Sequence, residues 1–359
     1  MATVRPFEAM LLSLITLPVM GHLFLVSMFL QHSGRDTWIS VLISLCLMLP
    51  LTWVFAKMVH ARSGLELSQR FRTYPHLWRG FFQISFVFYN VLNAIVSSTL
   101  FLSFVRINFL PNTPPMLVNI PYLLLIAYSL SKDIKVTVWM GSLLATIAML
   151  TGLSVSMIDH SSKDWSEWLP ILENGWSPVF EGLFITGGMW TETLALLIQL
   201  RSVPSSTKTL FRWWSLGICL NAFMMVMPAM GSVSIYGLEM AQNFLYPSEE
   251  TLRSMEVILI DRFDTYGLAL AAMGSFIRTS LFLQLSGYTL AEDRTWSIRW
   301  KYILFLSVAC VSIYCSASFV RTQTALTAYT WSSGFAIVLM ALAICDSLRG
   351  RRTPSYSRD

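Results

Sequence analysis

Glu181-Gly-Leu-Phe-Ile-Thr-Gly-Gly-Met-Trp-Thr-Glu192 sets two adjacent glycines, Gly187 and Gly188, and a carboxylate inside an apolar run. Each glycine weakens a helix by about 1 kcal/mol relative to alanine. A carboxylate at the centre of a bilayer costs roughly 2.5 to 3.5 kcal/mol on insertion scales. Such a stretch calls for a membrane around it, a matching irregularity elsewhere and a partner for the charge.

Composition supplies the membrane. With 55% hydrophobic and 13% charged residues over 359 positions, the chain is far less charged than a soluble domain, where about 25% is usual. It is expected to be a polytopic, all-α membrane protein, and its 13 Trp and 12 Tyr suit interfacial belts. Cutting at charged and proline-rich loops leaves ten apolar stretches: 7–30, 36–57, 80–104, 115–131, 136–158, 179–200, 210–233, 263–289, 301–320 and 325–346. Each is near the ~20 residues a spanning helix needs. The first follows Arg5 and runs on without a small-residue cleavage site, so it reads as a retained helix rather than a leader. The five cysteines, Cys46, Cys219, Cys310, Cys315 and Cys345, fall within apolar runs with no metal-site spacing, and are expected as buried small hydrophobes.

Basic residues alternate across the loops. With both termini cytoplasmic, eighteen of the 25 Lys and Arg collect on the inner side and six on the outer, leaving Arg278 within a span. That bias follows the positive-inside rule and an even number of helices. The acidic loops before the sixth and eighth stretches, with Asp159, Asp164, Glu167, Glu173, Glu239, Glu249, Glu250 and Glu256, then face outwards. Tyr246-Pro247-Ser248-Glu249-Glu250, followed by Leu252, Met255, Ile258 and Leu259, reads as a capped amphipathic helix lying on the outer surface. The basic end, Arg349 to Asp359, is expected to be disordered.

The first stretch carries Leu17-Pro18-Val19-Met20-Gly21 near its middle, and the sixth carries Gly187-Gly188 near its own. Breaks in helices one and six, with five helices to each half, are the pattern of an inverted repeat with discontinuous helices. The halves would be about 7–158 and 179–346, with 347–359 as a tail. Unwound backbone at the midplane would then form a site for a small zwitterion.

Depth places the charges. Glu192, thirteen residues into its span, and Arg278, fifteen into the eighth, lie about 20 and 22 Å deep at 1.5 Å per residue. Similar depth allows an ion pair. Either residue is a functional candidate, against the plainer reading of a packing lock. His22 sits nearer the outer side, where a hydrogen-bonded packing role competes with proton acceptance. Gln83, Asn90, Asn93 and Ser97 share one helical face, as a cavity wall or as interhelical hydrogen bonds. Thr279 and Ser280 offer hydroxyls to sodium, but the adjacent guanidinium disfavours it. No nucleophile triad, metal cluster, P-loop or dinucleotide fingerprint is present, so the chain reads as a non-enzyme without a cofactor, and nothing marks nucleic acid as a partner.

At this point the chain resembles a known family. Asp164-Trp165, then Leu169-Pro170-Ile171-Leu172-Glu173-Asn174-Gly175-Trp176-Ser177-Pro178, Tyr246-Pro247 with Leu252-Arg253, Asp261-Arg262-Phe263-Asp264, and Phe276-Ile277-Arg278-Thr279-Ser280 are similar to the endospore germination permeases. These are B subunits of nutrient germinant receptors, relatives of the amino acid, polyamine and organocation transporters, with a LeuT-like fold. The resemblance implies the inner spore membrane, assembly with A and C subunits, and sensing of a nutrient, commonly an amino acid, between spans one, three, six and eight. The ligand set expected on this basis is Pro18, Gly21, Asn90, Asn93, Gly187, Gly188, Glu192 and Arg278. Relatives usually place a Gly-rich turn ahead of the proline in span one, whereas here Pro18 precedes Gly21. A proton-coupled amino-acid transporter with Glu192 as carrier is the competing reading; it shares the fold and the pocket.

Overall fold

A computed structural model describes residues 3–62, 65, 67–158, 163–254, 264–290 and 294–350. Asp159, Glu256, Met255, Ile258, Leu259, Asp261, Arg262, Phe263 and the tail from Arg351 onwards lie outside the described residues. Among those described, the chain is helical throughout. In order run α1 (Pro6–Thr16), α2 (Val26–Ser33), α3 (Thr37–Ala61), α4 (Leu67–Arg72), α5 (His76–Asn108), α6 (Pro115–Leu130) and α7 (Ile134–Ile158). The second half continues with α8 (Ser177–Gln199), α9 (Thr207–Ala241), α10 (Pro247–Ser254), α11 (Asp264–Leu290), α12 (Arg294–Ser316), α13 (Phe319–Trp331) and α14 (Phe335–Gly350). The helix therefore continues to Gly350, four residues into the expected tail.

Helix starts follow local chemistry. Proline opens α1, α6 and α8, where its missing N–H is no loss. Arg5 N donates to Glu8 Oε2 at 2.8 Å, and the Ser206 hydroxyl caps α9 by accepting from Thr209 N at 3.2 Å. Among the described residues, eight helical segments are long and apolar enough to cross a membrane. Pro115–Leu130 is apolar but only 16 residues long. The 23-residue α8 is diluted by its glycines, threonines and two glutamates.

Burial separates a core from a rim. The first segment, Pro6–Phe24, is 78% buried, α11 67% and α5 61%, whereas Ser297–Ser316 and Phe319–Ser347 are each 28% buried. The rim and one face of α5 point large apolar side chains outward, among them Leu77, Ile84, Phe88, Val320 and Ile337, as a surface facing lipid does. The cysteines correct an expectation here. Cys46, Cys219 and Cys310 are exposed and Cys315 and Cys345 half-buried, because an apolar side chain in a membrane helix has no need to face the interior.

The first expected break is present and the second is not. After Thr16 the chain passes Pro18 and winds into a π-helix, Val19–Phe24, before α2. Proline withholds an N–H from the ladder, and the wider turn absorbs the misfit. By contrast α8 is a continuous helix through Gly187 and Gly188. The glycines serve close approach instead. A Cβ on Gly188 would lie 3.2 Å from the Tyr329 carbonyl oxygen, and one on Gly187 3.7 Å from Ser333 Cβ. What approaches is the end of α13 and the 3-10 turn Ser332–Gly334 that follows it, while a further irregularity lies within α9, kinked at Gly237.

Two sets of contacts close the ends. At one end, Val4 N donates to Arg201 O at 2.8 Å and Val203 N to Val4 O at 2.9 Å, an isolated parallel bridge clamping the start of α1 to the end of α8. At the opposite end, the loop before α8 is pinned to the α2–α3 corner and to α9. Arg35 Nε donates to Glu167 O at 2.8 Å, Leu172 N to Asp36 Oδ1 at 2.9 Å, and Trp168 Nε1 to Ser234 Oγ at 2.7 Å. In that loop, hydrogen bonds from Ser166 hold the Asp164 carboxyl below its usual range.

Candidate functional site

The polar face of α5 points at α8 and α11. Asn90 and Gln199 exchange amide hydrogen bonds, Asn90 Nδ2 to Gln199 Oε1 at 2.6 Å and Gln199 Nε2 to Asn90 Oδ1 at 3.0 Å. Gln83 Nε2 reaches Thr289 O at 3.3 Å, and Ser97 Oγ reaches Ser275 O at 3.4 Å. Of the two readings of this stripe, interhelical bonding is the one realised.

Asn93 joins a larger cluster. Arg278 Nε donates to Glu192 Oε1 and Nη2 to Glu192 Oε2, both at 2.7 Å, a bidentate pair in which both residues are 0% exposed. Arg278 Nη2 also donates to Asn93 Oδ1 at 2.6 Å and Nη1 to Asn93 O at 3.1 Å. The Tyr329 hydroxyl donates to Glu192 Oε2 at 2.6 Å. Above the guanidinium stand the rings of Tyr329 and Phe282, at 5.3 and 5.5 Å. Removing two charges from water costs several kcal/mol each, and only such geometry, with the remaining donors and acceptors also bonded, offsets it. The depth arithmetic on α8 and α11 thus led to a real pair.

Four helices meet there: α5, α8, α11 and α13. Gly188 is what lets α13 come near enough for Tyr329 to reach Glu192. Tyr329 and Gln199 were not expected at the site. A tyrosine in an apolar span is a signal of a kind, since a buried hydroxyl needs a partner. The other expected residues sit apart. Gly21 makes room for the Met189 thioether of α8, its would-be Cβ lying 2.3 Å from Met189 Cε, and Pro18 lines a separate cavity beside α10. Beside Arg278, Thr279 Oγ1 bonds Tyr122 OH at 3.1 Å and Ser98 Oγ at 3.3 Å, and Ser280 Oγ accepts from Ser129 Oγ at 2.7 Å. Those hydroxyls are engaged with protein.

Comparison with known proteins agrees with this architecture. A family model described as spore germination protein matches residues 3–324. Spore germination protein XB of Bacillus anthracis is 26% identical over 277 residues, covering 74% of this chain and 75% of that protein. Among solved structures, a sodium-coupled sialic acid symporter in a substrate-bound outward-open state superposes with a TM-score of 0.64 at 12% identity, covering 92% of this chain and 76% of its own. Mhp1, a nucleobase-cation-symport-1 family transporter, in a closed conformation with bromovinylhydantoin, gives 0.63 at 13% identity, covering 95% and 76%. The fold is thus the LeuT-like transporter fold.

Proposed function

This chain belongs to the spore germination protein family, and on that premise we propose that it recognises a small nutrient, an amino acid foremost, beside the Glu192–Arg278 pair. It is a germination-related, permease-like, multi-pass membrane protein whose family and fold neighbours are permeases and transporters, not enzymes. In the proposal it is the B subunit of a nutrient germinant receptor in the inner spore membrane, with both termini cytoplasmic, acting with A and C subunits. Its halves, 7–158 and 179–346, form the inverted repeat.

The observation that carries the reading is the dry, bidentate pair joining α8 to α11 and tied to α5 and α13. An amino-acid zwitterion bears the same two charges. Its carboxylate would take the place of Glu192 on the Arg278 fork, and its ammonium would meet Glu192 and the amide oxygens of Asn93 and Asn90. Pro18 and Gly21 would supply the yielding turn of the first helix, and Gly187 and Gly188 the surface along which α13 shifts. Tyr329 leaves Glu192 in that exchange, so the event passes to α13 on the rim, within reach of partner subunits. A carboxylate held by Arg278 and Tyr329 together suits a lock opened by ligand better than a free proton carrier.

The test is binding of a panel of labelled amino acids and sugars to the purified chain, wild type beside Gly188→Val, with spore germination of the same variant. Saturable binding of one nutrient, lost with the germination response in the variant at normal protein level, is the expected result. Normal germination by Gly188→Val and by Glu192→Gln would remove the site from this region. Uptake of the nutrient with protons into vesicles holding this chain alone would favour the transporter.

A further inference from the structure

A second region of interest lies between the π-helical turn Val19–Phe24 and α10. The helix that sequence placed on the outer surface is instead wedged into the bundle, with Pro247, Ser248, Glu249 and Leu252 buried. Beneath it is a cavity of about 100 Å³. Its hydrocarbon walls include Leu14, Val19, Leu23 and Leu270. Glu249 lines it with 0% exposure, and neither carboxylate oxygen has a hydrogen-bond partner. The carboxylate is accommodated by a glycine on α11, since a Cβ at Gly267 would lie 2.3 Å from Glu249 Oε2.

His22 brings further acceptors to the wall, and the Tyr266 phenol that also lines it is engaged by Thr151. His22 Nδ1 is buried without a partner, while the His22 carbonyl already takes a 2.5 Å hydrogen bond from Ser248 Oγ. Pro18 withholds the N–H that would bond the Leu14 carbonyl in a regular helix. Of the charged groups nearby, Arg253 is engaged by Glu250 at 2.7 Å and faces Asp264 at 3.8 Å. Burial, with Asp264 alongside, pushes the Glu249 carboxyl up to about 8.

A buried acceptor left unbonded costs about 1 to 3 kcal/mol, more when charged. What satisfies a carboxylate and an imidazole nitrogen together is a cation that donates hydrogen bonds. A hard metal cation takes roughly six to eight oxygen ligands, more than this apolar wall presents. We infer that the cavity binds a short organic ammonium ion, its N–H groups on Glu249 and His22 Nδ1 and its alkyl chain against Leu14, Val19, Leu23 and Leu270. This site is separate from the midplane pair and stands whether or not a nutrient binds there.

The test uses the full chain in detergent, with n-butylammonium as probe, n-butanol as the uncharged isostere and potassium chloride as the inorganic cation, followed by calorimetry. Saturable n-butylammonium binding is expected, with none for n-butanol, weakened about tenfold or more in Glu249→Gln, as loss of a charged hydrogen bond implies. Gly152→Leu guards against a folding artefact at Glu249. Gly152 lines the cavity and a Cβ there meets nothing within 4 Å, so its side chain should occupy the alkyl bed and weaken binding too. The inference is overturned by no saturable binding to the wild type, by equal binding of n-butanol, by full competition from potassium at equal concentration, or by unchanged affinity in both variants.

Discussion

Glu192 and Glu249 are both fully buried carboxylates, yet one has every oxygen engaged and the other has neither. Glu192 is closed off by Arg278 and Tyr329, with aromatic rings over the guanidinium. Glu249 opens on a cavity where His22 Nδ1 is also an unbonded acceptor. Burial alone therefore does not say what holds a carboxylate in this molecule: Glu192 is locked by its partners, and Glu249 has its hydrogen bonds still to make. A satisfied charge holds helices together, and an unsatisfied one waits for something.

Mutation should separate the two carboxylates in sign. Glu192→Ala leaves Arg278 buried and unpaired, and should cost about 3 to 5 kcal/mol of stability, read as a large fall in thermal midpoint in detergent. A loss below about 1 kcal/mol would mean the pair is not a lock. Glu192→Met with Arg278→Leu removes both charges and should recover most of that loss, as apolar replacements of whole buried pairs do. Next comes Gly188→Val, which drives a branched side chain at the Tyr329 backbone; roughly 1 to 3 kcal/mol is expected from overpacking, together with loss of the Tyr329–Glu192 bond.

Glu249→Gln should behave oppositely, leaving stability unchanged or raised. Its carboxyl ordinarily titrates near 4.5 and here near 8, so the folded state binds the proton more tightly than the unfolded one. Stability is then full below about 4.5, falls as pH rises and has been lost by about 8. Hydrogen exchange at α10, wild type against Glu249→Gln at matched pH, should show protection falling through that window only in the wild type. A flat difference would put Glu249 on a par with Glu192. The smallest effect belongs to Arg35→Ala at the α2–α3 corner, where partly exposed pairs with Glu167 and Glu173 contribute about 0 to 1 kcal/mol.

Much of this was legible in the residues. The all-helical, membrane-crossing character follows from apolar run length, though eight spans rather than ten are long and apolar enough among the described residues; the break at Pro18 follows from its missing N–H, and the Glu192–Arg278 pair from depth. Asn93 was legible from its face on α5. The glycine pair misled because glycine has two uses, unwinding and close approach, and only the neighbour tells which; that neighbour, the turn after Tyr329, lies some 140 residues away in sequence. Glu249 was illegible for a related reason. An acidic residue at the start of a short helix is ordinarily a solvated one, and what buries it is the hollow left by a π-turn more than two hundred residues earlier. Tyr329 needed Gly188 to be understood first.

The bridge between Val4 and Ser202 sets a clock. At about 5 to 20 residues per second, the ribosome needs roughly ten to forty seconds after placing Val4 to reach the strand that will hold it. The first helix, 78% buried in the finished bundle, spends that interval among lipids with its break uncovered, and Met189, which fills the space at Gly21, emerges only shortly before the clamp. Packing of the first helix is thus an unfinished act until α8 is made, and the order of synthesis keeps that segment waiting.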